Sequence, residues 1–178
     1  MAEDNFYRNT WIGAGAKYGG QLIGAGYDSS DGAVFNVAHP GWCFEFEITN
    51  LRLGPGLGGG VGSMIVIAFN TTNIYNLSGT NIEDWGFNFA LAGKWSAIAK
   101  SLANIQKYAA LAKLAKSATA TKNFVKDAEG LKMATNYLWN AFDMNKRGGK
   151  PTIFTLDLPA GVGLEVSLVK TYGTFNIL

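Results

Sequence analysis

The chain passes between two regimes of hydrophobic spacing. From Trp42 to Leu53 the period is two: Trp42, Phe44, Phe46 and Ile48 fall on one face, and Cys43, Glu45, Glu47 and Thr49 on the other. That alternation predicts a strand with one buried and one wetter side. The same period runs through Trp85–Leu91, where Trp85, Phe87, Phe89 and Leu91 oppose Gly86, Asn88 and Ala90. It returns in Val162–Lys170, where Val162, Leu164, Val166 and Leu168 oppose Gly163, Glu165 and Ser167. Met64–Phe69 is continuously apolar, as expected of a strand covered on both sides. Beyond Lys94 the spacing becomes helical. Trp95, Ile98, Leu102, Ile105, Ala109 and Ala112 make one stripe with Tyr108 at its edge, Lys100 and Lys107 lie opposite, and Leu111 and Leu114 fall outside it. A break is expected near Ser117–Thr121. A second helix then covers Asn123–Phe142, with Phe124, Leu131, Tyr137, Leu138 and Phe142 as its apolar residues and Gly130 as its weak point. Lys146-Arg147-Gly148-Gly149 reads as a basic helix stop.

Expected turns are Gly19-Gly20, Asp28–Gly32, His39-Pro40-Gly41, Gly54-Pro55-Gly56, Ser78-Gly79 and Pro159–Gly161. They delimit about eight or nine short strands, which suits an antiparallel sandwich or barrel. Glycines within the strands imply coiling, bulges or close backbone approach. The predicted fold class is therefore α+β: a curved antiparallel β-barrel or sandwich with a helical-hairpin insertion. All 178 residues are read as one domain, with a β body over 8–92 and 152–178 and the helical insertion over 94–147.

Composition narrows the chemistry. Apolar residues make up 48% and charged residues 16%, which excludes intrinsic disorder. With one cysteine, Cys43, and one histidine, His39, the chain has no disulfide framework and no multi-cysteine or multi-histidine metal site. No cofactor and no enzymatic activity are expected. Met1–Asn5 has neither a basic n-region nor an apolar h-region, so no secretory signal is expected, and no apolar run reaches the length of a transmembrane helix. Peripheral membrane association remains compatible with both.

Charge is segregated. From Lys94 to Lys150 eleven Lys/Arg face three Asp/Glu, a net +8, whereas the remaining residues carry −6. A basic element on a mildly acidic body follows. The aromatics are concentrated in the β part and the lysines in the helical part, a separation that argues against a nucleic-acid platform.

Other constellations carry less. His39 and Cys43 are four residues apart, but Pro40-Gly41 forces a turn between them, so a buried inert cysteine is the better reading. Glu45 and Glu47 share a strand face and read as its wet side rather than as an acid/base pair. The Gly54–Gly62 run lacks the Gly-Lys-Ser/Thr ending of a phosphate loop and precedes a strand.

Gly58-Gly59-Gly60-Val61-Gly62, the apolar run to Phe69-Asn70 and the segment from Trp85 to Gly93 together resemble the SYLF (Ysc84-type) lipid-binding domain. The alternation over Gly161–Leu168 resembles that family's last strands, although the helical insertion has no counterpart there and the apolar run is shorter. The resemblance implies binding of membrane lipids without catalysis, and transfers no functional residue.

The leading functional expectation is a non-enzymatic lipid- or membrane-surface-binding protein. Lys100, Lys107, Lys113 and Lys116 would meet anionic headgroups, and Trp95, Ile98, Leu102 and Ile105 would be the apolar contacts. The alternative is a self-assembling structural subunit, a homo-oligomer forming a ring, tube or filament, in which the acidic body of one copy docks the basic insertion of the next. A pore-forming protein is the third reading.

Overall fold

The computed structural model describes the backbone of residues 2–22, 24–54, 58–85, 95–114, 117–158 and 170–178, and the side chains of 3–19, 25–51, 62–80, 100–114, 118–155 and 173–178. Helix α1 (Ala2–Arg8) opens the chain, with Glu3 and Asp4 in its first turn and Arg8 in its last, complementing the helix dipole. Four long strands follow: β1 (Trp11–Leu22), β2 (Gly24–Asn36), β3 (Cys43–Gly54) and β4 (Gly58–Phe69). A 3-10 turn at Ile74–Leu77 leads to β5 (Thr80–Trp85). Helices α2 (Trp95–Lys113), α3 (Ser117–Lys126) and α4 (Ala128–Ala141) come next, then β6 (Thr152–Leu158) and β7 (Lys170–Ile177).

The strands form one antiparallel sheet in the order β5-β7-β3-β2-β1-β4-β6. It is curled rather than split into a sandwich: the edge strands β5 and β6 come into contact. The expected α+β class with a curved antiparallel sheet holds. Seven strands are described, and two of the expected turns, Gly19-Gly20 and Asp28–Gly32, lie inside β1 and β2. The reason is close packing. Gly19 pairs with Asp28, and a Cβ at Gly19 would stand 2.3 Å from Asp28 Cβ, so glycine serves an inter-strand approach and not a reversal. The His39–Gly41 turn is present, closed by Trp42 N–H donating to His39 O at 2.8 Å. Gly79 takes the positive φ of 79° that the Ser78-Gly79 turn requires. Most of the expected strands at Trp85–Leu91 and Val162–Lys170, and the Pro159–Gly161 turn, lie outside the described residues.

The two sheet faces carry separate cores. The concave face gathers Trp11, Val34, Phe46, Ile48, Met64, Val66, Ile153 and Phe175, closed at one end by Ile74 and Leu77 of the 3-10 turn. The convex face presents Ile12, Phe35, Ile65, Ile67, Phe69 and Phe154 to the helices. β4 is buried between the two cores, which is why Met64–Phe69 is apolar at every position.

Three helices, rather than a two-helix hairpin, form the outer layer. The break expected near Ser117–Thr121 is displaced: Ser117 opens α3, and a second break falls at Asp127. Asp127 ties the corner to α2, accepting from Asn104 Nδ2 at 3.0 Å and Tyr108 OH at 3.5 Å. α2 is pinned to β4 by Gln106 Nε2 donating to Ser63 Oγ at 2.6 Å. Phe124 reaches Phe35 with ring centroids 5.1 Å apart, and Phe142 stacks on Phe154 at 4.0 Å.

Candidate functional site

α2 places its predicted stripe inward. Leu102 and Ile105 are fully buried, and Ala109 and Ala112 are buried with them, all in the convex-face core. Leu102 and Ile105 are therefore unavailable as lipid contacts. Helical spacing identified an apolar side correctly, but the sheet covers it, and withdrawing two such side chains would expose roughly 1.5–3 kcal/mol of burial each. The side chains of Trp95, Ile98 and Lys116 lie outside the described residues. Lys100 and Lys107 are exposed. Lys113 is not free for a headgroup: it forms an ion pair with Asp31 of β2.

α3 adds a second basic surface that the spacing analysis passed over. Ala120 and Phe124 point into the core. Lys122, Val125 and Lys126 consequently share the outward side, with Val125 56% exposed between the two lysines. Their spacing of three, four and one along the chain was the available signal. Lys100, Lys107, Lys122 and Lys126 make no ion pair among the described residues.

The convex face of the sheet is covered unevenly. α2 crosses β1 and β2 and touches β4 and β3 less extensively. On β3, Glu45 and Glu47 are exposed, as is Leu51 at 48%, beside its cross-strand partner Tyr27 at 58%. Glu45 and Glu47 make no ion pair among the described residues. Asp31 and Glu47 are register partners on adjacent strands. The Asp31–Lys113 pair thus stands at the margin of the helical layer, and Glu47 lies one strand beyond it.

The concave face carries a buried polar group next to its apolar core. Lys17 Nζ lies 3.8 Å from Asp28 Oδ2, with side chains 12% and 3% exposed. Asn50 Nδ2 donates to Asp28 Oδ1 at 2.8 Å. Ser30, the register partner of Lys17, is fully buried.

At the end of the sheet where β1 begins, aromatic rings run in series: His39 on Trp42 at 4.5 Å, Trp42 on Trp11 at 6.4 Å, Trp11 on Phe44 at 5.7 Å and Phe44 on Tyr75 at 5.1 Å. His39 is thus engaged with Trp42. Burial, and then the Glu45 charge, push the Cys43 thiol up to about 11, so it stays protonated at neutral pH. A thiol held in that form is a poor nucleophile.

No group of three or more His, Cys, Asp or Glu side chains is placed to hold a metal ion among the described residues. No helix among them is long and apolar enough to cross a membrane. No family model, no curated protein and no solved structure matches the chain.

Proposed function

We propose that this protein is a non-enzymatic structural subunit that associates with copies of itself. The observation that carries the reading is the pairing of two exposed, uncompensated surfaces on one chain. Glu45 and Glu47 share the convex face of β3 with exposed Leu51, and Lys100, Lys107, Lys122 and Lys126 stand on the helices. Leu102, Ile105, Ala109 and Ala112 of α2 are spent in the core, so what the described helical layer offers a partner is charge with a few exposed apolar side chains, Leu114, Val125 and Met133. Charged surfaces of opposite sign steer association and fix register. Sedimentation velocity over a concentration series tests this. The average sedimentation coefficient rises with concentration at low salt and falls toward the monomer value at high salt, where exposed charges are screened. A strict monomer at every concentration contradicts the proposal.

A second reading is supported by the same four lysines: reversible adhesion to an anionic lipid surface. Each lysine near such a surface contributes about 1 kcal/mol. With Leu102 and Ile105 buried, adhesion would be electrostatic and without helix insertion. Co-sedimentation with vesicles containing anionic lipid, against purely zwitterionic vesicles, tests it; failure to bind either removes this reading.

A further inference from the structure

We infer that the contact between copies joins unlike surfaces: the outward side of α3 of one copy seats on the convex face of β3 of another. The inference rests on the self-association proposed above and specifies its geometry. The receiving surface is Glu45, Glu47 and Leu51, with Tyr27 beside Leu51 across the strand pair. The inserted surface is Lys122, Val125 and Lys126. Each presents carboxylates or ammonium groups together with an exposed apolar side chain, Leu51 at 48% on one and Val125 at 56% on the other.

Three observations support this occupant over others. The chain already makes one contact of the same chemistry within itself, where Lys113 at the end of α2 pairs with Asp31 on the convex face. Glu47, the register partner of Asp31 on the next strand, continues that acidic row past the point where the helices of its own copy supply a lysine. Like-on-like contacts are disfavoured by charge. Sheet face on sheet face would oppose Glu45 and Glu47 to the same carboxylates, and helix on helix would oppose lysines to lysines. Only the contact between unlike surfaces brings opposite charges together. Such a contact closes as a dimer where two copies satisfy it reciprocally about a two-fold axis, and otherwise propagates to a ring or an open filament.

Two double variants test the geometry. The sheet variant carries Glu45→Lys and Glu47→Lys, and the helix variant carries Lys122→Glu and Lys126→Glu. All four positions are exposed, so the cores are untouched. Circular dichroism and thermal unfolding verify the fold; where a variant fails this check the Gln version of that pair replaces it in the single-variant comparison, and the mixture is read with charge-reversed variants only. Each variant alone should associate about tenfold or more weakly than the parent chain. An equimolar mixture of the two reversed variants should recover association, because each supplies the surface complementary to the other. If the parent chain is monomeric throughout, self-association itself fails and this inference with it. If the parent chain associates and either variant alone associates as well as the parent, self-association stands and the contact of α3 with β3 is overturned. Weakened variants whose mixture does not recover overturn it equally.

Discussion

Asn50 Nδ2 donates to Asp28 Oδ1 at 2.8 Å inside the curl of the sheet, while Lys17 Nζ approaches the second oxygen of the same carboxylate at 3.8 Å. One carboxylate therefore compensates a nearly buried cation and a buried amide. Removing it takes an ion-pair partner from Lys17 and the acceptor from Asn50 Nδ2. We expect Asp28→Ala to lower the unfolding free energy by about 2 kcal/mol, the usual cost of losing a buried hydrogen bond to a charged group. Urea unfolding followed by tryptophan fluorescence checks this. Ser30→Ala is the control on the same face. Ser30 Oγ is buried and has no hydrogen-bond partner among the described residues, so its removal should be neutral or stabilising by about 1 kcal/mol.

Gly130 sits within α4, where propensity alone favours alanine by about 1 kcal/mol. Its neighbour decides otherwise. A Cβ at Gly130 would lie 2.6 Å from Ser101 Oγ, and Ser101 is itself buried on α2. Gly130→Ala should therefore destabilise, by about 1 kcal/mol, through overpacking between the two helices. The double variant with Ser101→Gly should regain part of the loss. Chemical denaturation of the two single variants and the double one measures the coupling, and purely additive changes would contradict the contact.

Cys43 gives a pH signature. Its folded-state pKa of about 11 lies above the ordinary thiol value of 9.0, so the protonated form favours the folded state. That contribution is fully present below pH 9 and is lost as pH rises toward 11. Stability should decline across this window in the parent chain more steeply than in Cys43→Ser. Alkylation by iodoacetamide at pH 8 should be slower for the folded chain than for the unfolded one.

The strand from Trp42 onward was legible because its two faces meet different surroundings, the concave core for Phe46 and Ile48 and solvent for Glu45 and Glu47. The stripe of α2 was legible for the same reason. Its partner was not: periodicity names the apolar side of a helix, and both a sheet and a membrane can cover it. Gly19-Gly20 and Asp28–Gly32 misled because turns and tightly curled strands draw on the same residues. Asp28 carries the polarity of a turn yet is buried against Asn50, and Gly19 is small because Asp28 sits over it. Lys122 and Lys126 were legible in principle, since Phe124 and Ala120 fix which side of α3 faces the core. Their lack of counter-charges was not, because it depends on where the helical layer ends on the sheet.

Zero-length cross-linking reads the unlike contact between copies. Carbodiimide treatment joins a carboxylate to a lysine amine only where the two are in contact, and an equal mixture of isotope-labelled and unlabelled chains separates links between copies from links within one. The Lys113–Asp31 pair supplies the internal reference, expected wholly within a copy. Mixed-isotope peptides joining Glu45 or Glu47 to Lys122 or Lys126 are the expected result. Cross-links confined to single copies, under conditions where the Lys113–Asp31 link forms, would contradict it.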